Sequence, residues 1–217
     1  MEKSFTLKDF VMSPSEWLAF AGMSFVLAVA PGPDNLFVLT QSAVLGARAG
    51  LYVVLGLCGG LLVQTIAAAL GLAIVIQEFP AVFWAIKIAG AAYLCYLAYM
   101  AWTHAEDVPG EGGALDLKPW QLVRRGVIMN ITNPKVQIFF LAFFPQFVKP
   151  GTEGVALAVQ MAGQGAIFLI ATVVVFSACA LAAGVLATAL RNPKWAGLLN
   201  RASAVLFLGL AVSALFA

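Results

Sequence analysis

Two residues of opposite charge stand where a bilayer tolerates charge least, and each directly follows a proline. Asp34 lies in Phe25-Val-Leu-Ala-Val-Ala-Pro31-Gly32-Pro33-Asp34-Asn35, and Lys135 in Asn130-Ile-Thr-Asn133-Pro134-Lys135-Val-Gln137. A charge at the centre of a helix in hydrocarbon costs at least about 2.5 kcal/mol. Ionisable groups kept there pair with each other or face a water-filled cavity, and they mark ion or solute paths. The chemistry on offer is therefore binding within a membrane. Asp34 and Lys135 are expected to approach each other near the bilayer centre. The alternative is that Lys135 snorkels to the interface while Asp34 supports only its own helix.

The flanking residues say how the two charges are held. Proline removes a backbone donor and clashes with the carbonyl four residues before it, so neither helix can run straight through Pro31-Gly32-Pro33 or Asn133-Pro134. Such breaks are tolerated in hydrocarbon only where the freed backbone faces protein or a water-filled cavity. In the first, Gly32 serves as cap and Pro33 takes the first helical position; in the second, Asn133 caps and Pro134 follows. Asp34 then sits in a first turn, where the helix dipole favours an anion. Lys135 sits in the matching turn, where the dipole opposes it, so a partner must offset that, and Asp34 is the obvious one. Asn35, Asn130 and Asn133 belong to the same breaks. Gln64, Gln137, Gln160 and Gln164 either line a polar cavity or donate interhelical hydrogen bonds. Lys87, eight residues into its span, reads as a snorkelling lysine.

Other chemistries are excluded by what is missing. The sole histidine, His104, lies in a charged connection, so no His/Asp/Glu metal set and no Ser/His pair can be assembled. No Gly-x-x-x-x-Gly-Lys-Ser/Thr pattern occurs, so nucleotide hydrolysis is not expected. The reading is of a protein that is not an enzyme and needs no cofactor or metal. Cys58, Cys95 and Cys179 fall inside apolar stretches and read as small buried hydrophobes.

The elements that must position these residues follow from the scarcity of charge. Of 217 residues only 10% are charged and 62% are hydrophobic, against about 25% and 45 to 50% in soluble chains. The few charges delimit apolar stretches: Trp17 to Ala47, Ala49 to Gln77, Phe79 to Thr103, Gly126 to Val148, Gly154 to Leu190 and Ala202 to Ala217. With about 20 residues needed to cross a bilayer, six spans are expected, the fifth a single long or tilted helix. One side collects Lys3, Lys8 and Lys149; the other collects Arg48, Lys118, Arg124, Arg125, Arg191, Lys194 and Arg201. The richer side is expected to be cytoplasmic, with both termini outside. Trp17 to Ala30 lacks a positive leader and meets Pro31 at the small-residue site, so it is read as an uncleaved span. A net charge of +2 gives no reason to expect a nucleic-acid partner.

The two breaks also repeat. Superposing Pro33 on Pro134 puts Asp34 on Lys135 and Arg48-Ala-Gly50 on Lys149-Pro-Gly151. Lys87-Ile-Ala-Gly90-Ala-Ala-Tyr-Leu94 likewise matches Arg201-Ala-Ser-Ala204-Val-Leu-Phe-Leu208 in the last helix of each half. Three helices followed by three must run in opposite senses, the pattern of an inverted-topology repeat whose broken helices form a transporter's midplane site. The expected architecture is a single all-α, polytopic membrane domain over residues 1–217. It divides into a first repeat to 103, a cytoplasmic linker over 104–125 and a second repeat over 126–217.

Several ordered motifs carry a resemblance. Pro31-Gly-Pro-Asp-Asn-Leu-Phe-Val-Leu-Thr40, Gly46-Ala-Arg-Ala-Gly50-Leu, Gly90-Ala-Ala-Tyr-Leu94, and Asn133-Pro-Lys135 ahead of Phe143-Phe-Pro-Gln-Phe147 resemble the LysE/RhtB family of bacterial amino-acid exporters. The likeness spans roughly residues 15 to 217 and leans to the RhtB branch, which handles small neutral amino acids. It implies a bacterial inner-membrane protein that exports amino acids or close derivatives on a proton or other ion gradient. It further implies Asp34 as the group for a proton or the substrate amine, and Lys135 with the exposed half-helix N–H groups for the substrate carboxylate. The remaining alternatives are an inorganic-ion carrier with the same broken helices and a membrane scaffold that moves no solute. Besides substrate, coupling ion and lipid, a second copy of the chain is a candidate partner.

Overall fold

The computed structural model describes residues 12–72, 80–105, 117–148, 152, 154–190 and 192–216. The orientation count that used Lys3, Lys8, Lys149 and Arg191, and the middle of the linker from Glu106 to Asp116, lie outside those residues.

All regular structure among the described residues is helical. Helix α1 (Pro14–Val29) begins with a capping box in which Ser13 accepts from Glu16 N while the Glu16 carboxylate accepts from Ser13 N; Pro14 follows the cap. After the first break, α2 runs Pro33–Leu45. Gly46, at φ +88°, then turns the chain into α3 (Ala47–Ala67), a backbone angle for which glycine is suited. A wide π turn, Ala68–Leu72, extends α3. Helix α4 is Pro80–Thr103 and α5 is Pro119–Thr132. The segment after the second break starts as α6 (Pro134–Ile138), then loosens into a π turn, Phe139–Phe143, and tightens into a 3-10 turn, Phe144–Phe147. Helices α7 (Gly154–Leu181), α8 (Ala183–Leu190) and α9 (Pro193–Phe216) complete the chain.

Among the described residues four helices are long and apolar enough to cross a bilayer, and up to six spans result when each bent pair counts as one. The bends are 57° between α1 and α2 and 50° between α5 and the α6 segment. The long fifth span is interrupted at Ala182, between α7 and α8. The fourth span starts at Pro119 instead of Gly126, because Arg124 and Arg125 occupy the exposed first turns of α5. Outward faces are apolar, with Leu18, Val155 and Val185 among the most exposed residues, as a lipid-facing surface requires. Trp84, Trp102, Trp120 and Trp195 are exposed near helix ends, as interface anchors are. Lys87 has little exposed surface, and its ammonium lies 4.8 Å from the ring centre of Trp84, one turn back towards the start of α4.

Helix α3 is the central post. It packs along α5 on one side and α7 on the other, while α4 and α9 pair with each other. At the α3/α5 crossing a Cβ on Gly56 would lie 2.0 Å from the Val123 carbonyl oxygen, and one on Gly126 would lie 2.4 Å from that of Val53. Only glycine at both positions lets the two backbones come this close.

Candidate functional site

The two breaks meet. Each places the start of one half-helix against the end of the other broken span, and the contacts cross between halves. Asn133, the last residue before α6, donates from Nδ2 to Asp34 Oδ2 at 2.8 Å. Its Oδ1 accepts from Lys135 N at 3.0 Å, so one side chain both caps α6 and holds the acid of α2. Lys135 reaches the opposite way. Its Nζ donates to Ala30 O at 2.8 Å and Leu27 O at 3.3 Å, and lies 3.5 Å from Asn35 Oδ1.

Asp34 attracts the Lys135 ammonium within the cluster without bonding it directly, and the groups that do bond it lie at the C-terminal end of α1. That end carries unpaired carbonyls and the negative pole of the helix dipole. The dipole contributes at most about 2 kcal/mol, less than the cost of a charge in hydrocarbon, whereas hydrogen bonds to a charged group add about 1.5 to 3 kcal/mol each. The two carbonyl bonds therefore decide the balance. Asp34 and Lys135 belong to one buried cluster, but Asn133 links them. Asp34 is 2% exposed and Lys135 5% exposed, so neither is solvated at an interface. One oxygen of the acid, Asp34 Oδ1, has no hydrogen-bond partner among the described residues.

The remaining expected residues divide. Asn35 joins the cluster, donating from Nδ2 to Ala28 O at 2.8 Å. Asn130 sits at the end of α5, where Gln64 Nε2 reaches from α3 to donate to its O and Oδ1, both at 2.9 Å. Gln137 is exposed and caps the same end through Ile131 O. Gln164 lies away from the acid: its Nε2 donates to Phe144 O at 3.2 Å and, with Gln160 on Phe147 O, ties α7 to the segment after α6. For these glutamines the hydrogen-bonding alternative holds, with Gln64 closest to the cluster.

Pro31 and Gly32 line a cavity of about 1020 Å³ bounded by α1, α2, α4, α7, α8 and α9. A Cβ on Gly32 would stand 3.1 Å from Lys135 Nζ, so the missing side chain keeps the wall between cavity and ammonium thin. A second, enclosed space of about 10 Å³ lies between Asp34, Asn130, Lys135 and Thr172, close to the volume one water needs. Phe20, Phe139, Phe143, Phe144 and Phe147 pack together, Phe20 meeting Phe144 edge-on at 5.2 Å and Phe139 stacking on Phe143 at 5.2 Å. Along α1 the aromatic Phe20 precedes the cavity residues Phe25 and Val29; along α7 Phe168 precedes Val174 and Val175. The open chamber thus runs alongside the cluster, from Phe25 before the first break to Leu39 after it, while the aromatic residues form a plug against α6 and its continuation.

Thr172, Phe168 and Phe176, which also line the small space, were not expected from sequence. They follow Gln160 and Gln164 at intervals of four, and all five are buried on one face of α7. Among the described residues, no three His, Cys, Asp or Glu side chains come together as a metal site would require.

Comparison with known proteins bears on this arrangement. The family model of the LysE type translocator matches residues 25–217. A homoserine/homoserine lactone efflux protein of Salmonella typhimurium is 30% identical over 192 residues, 88% of this chain and 92% of that protein. A leucine efflux protein of the same species is 31% identical over 133 residues, 61% of this chain and 62% of the relative. An uncharacterized membrane protein of Vibrio cholerae is 31% identical over 134 residues, and the match spans 65% of its length. No solved structure matches.

Proposed function

The chain belongs to the LysE type translocator family, whose members are transporters and not enzymes, and from that premise we propose that it is a secondary carrier exporting amino acids or close derivatives across the bacterial inner membrane on the proton motive force. The observation that carries the reading is the Asp34/Asn133/Lys135 cluster beside a large cavity, held by two helix breaks. An amino acid presents an ammonium and a carboxylate together. The start of α2 and the Lys135 ammonium supply the cationic side for the carboxylate, and Asp34, with a free oxygen, supplies the anionic side for the amine. In the coupled cycle a proton from outside occupies Asp34, displaces the ammonium, and leaves to the cytoplasm as the next substrate binds.

The geometry favours alternating access. The cavity opens along one face of the first break while aromatic rings pack tightly around the segment after the second, which supports a state open one way only. The basic residues Arg48, Arg124, Arg125 and Lys194 stand near the cavity ends of α3, α5 and α9, which supports a cytoplasmic mouth. The helix pairing supports an inverted repeat. Under that symmetry α3 corresponds to α7 and α4 to α9, and these are pairs in contact; the α3/α5 packing then corresponds to the α7/α1 packing. The two named relatives differ in the solute in their names but agree on amino-acid-derived efflux, which supports the class.

Proteoliposomes loaded with labelled amino acids test the proposal. Wild type is expected to release at least one of them faster under an inward proton gradient, and an ionophore to abolish the gain. Asp34→Asn and Lys135→Gln, confirmed folded by gel filtration in detergent, are each expected to lose most of the gradient-driven flux, since each removes one charged half of the site that would hold the amino acid's ammonium and carboxylate. Full flux in both folded variants overturns the assignment of the cluster.

A further inference from the structure

The wall of the large cavity carries four side chains with nitrogen or oxygen atoms, and each has at least one of them engaged by the protein. Asn35 is held between Ala28 O and the Lys135 ammonium. Ser203 donates to Leu199 O at 2.9 Å within its own helix. Asn200 donates from Nδ2 to Ala105 O at 2.9 Å, tying α9 to the residue beyond α4. His104 Nδ1 lies 2.9 Å from Thr103 Oγ1 and 3.2 Å from Met100 O. His104 and Asn200 also stand at the linker end, away from the first break at Pro31 and Gly32. Apart from these four the walls are apolar, with Leu39, Leu97, Met100, Val175, Leu186 and Phe207 lining the space.

We propose that this chamber selects amino acids whose side chains are bulky and wholly apolar, such as leucine, methionine and phenylalanine, with Leu97, Met100 and Phe207 as the specificity-determining residues. The inference rests on the exporter reading and adds the substrate class. With ammonium and carboxylate read at the first break, just behind the thin wall at Gly32, the chamber is the adjoining space large enough for the substrate's side chain. A hydroxyl, amide or charge there leaves water and meets carbon. A small side chain leaves the wall unfilled and gains little from burial. An unbranched thioether adapts to several shapes, so Met100 suits a carrier that accepts a group of apolar side chains.

The test is a ratio measured within one preparation. Proteoliposomes of the full chain are loaded with an equimolar mixture of labelled leucine, methionine, phenylalanine, alanine, homoserine and lysine, and initial efflux is followed under a proton gradient. The first three are expected to leave at least about tenfold faster than alanine, homoserine or lysine, since even one methylene in an apolar pocket discriminates about tenfold or more. Met100→Gln and Leu97→Asn, by adding an unengaged polar group to the wall, are expected to move the homoserine-to-leucine ratio up at least about threefold. Met100→Trp, by filling the chamber, is expected to slow phenylalanine more than alanine.

Equal rates for leucine, alanine and homoserine, or ratios unmoved by all three variants as when the chamber holds only a lipid chain, overturn the selectivity while leaving the exporter reading intact. Release of none of the six overturns both. The wild-type ratio needs no substitution, so a variant that fails to fold does not rescue the proposal.

Discussion

The two broken spans use one device and put it to different ends. Both resume at a proline, bend by 57° and 50°, and place a charge at the next residue. Beyond that they diverge. After Pro33 the chain continues as a regular helix to Leu45; after Pro134 it holds a regular helix only to Ile138 before loosening and tightening through Phe147. The first cap is Gly32, with no side chain to bond, and it faces the large cavity. The second is Asn133, whose side chain bonds both Lys135 N and Asp34, and it is buried. The break decides which helix ends are offered at mid-depth. The residues around it decide whether those ends meet open space or packed protein.

That contrast can be broken in three places. The largest effect is expected at the packed side. Phe144 is fully buried against Phe20, Phe139 and Phe140, so Phe144→Ala should cost about 3 to 5 kcal/mol and raise gradient-independent leak, read by thermal unfolding in detergent and by efflux without a gradient. Leak unchanged in a folded variant means the aromatic cluster does not close the path. Next comes the shared cap. Asn133→Ala removes a helix cap worth about 1 kcal/mol and a hydrogen bond to a charged group worth about 1.5 to 3 kcal/mol. It should lower both stability and flux, whereas Asn133→Asp, which keeps the cap but sets a second acid against Asp34, should restore more stability than flux. The smallest effect is expected at the open side. Gly32→Ala puts a methyl 3.1 Å from Lys135 Nζ; stability should change by less than about 1 kcal/mol, while flux falls severalfold because the wall between chamber and ammonium thickens.

The same contrast explains what could be read from the chain. Breaks, caps and buried charges were legible because proline, glycine and asparagine act locally, and because a charge in an apolar run announces itself. The acceptors of Lys135 were not, since the carbonyls of Leu27 and Ala30 carry no mark in their side chains; they exist as acceptors only because α1 ends there. The inner face of α7 was equally hidden. Gln160, Gln164, Phe168, Thr172 and Phe176 recur every four residues, but in a helix with apolar residues on both its lipid and protein sides that period does not stand out. The contact of the Lys87 ammonium with the Trp84 ring was also hidden, because it depends on packing and not on depth alone.

The central claim is that the cluster between the breaks binds the amino acid, with Lys135 receiving its carboxylate. It is tested most directly by equilibrium binding of labelled leucine to purified protein in detergent, without any gradient, comparing wild type with Lys135→Gln and with Lys87→Gln as the control for a buried lysine away from the breaks. Saturable binding in wild type and Lys87→Gln, and its loss in a folded Lys135→Gln, is the predicted result. Undiminished binding by Lys135→Gln would contradict the account.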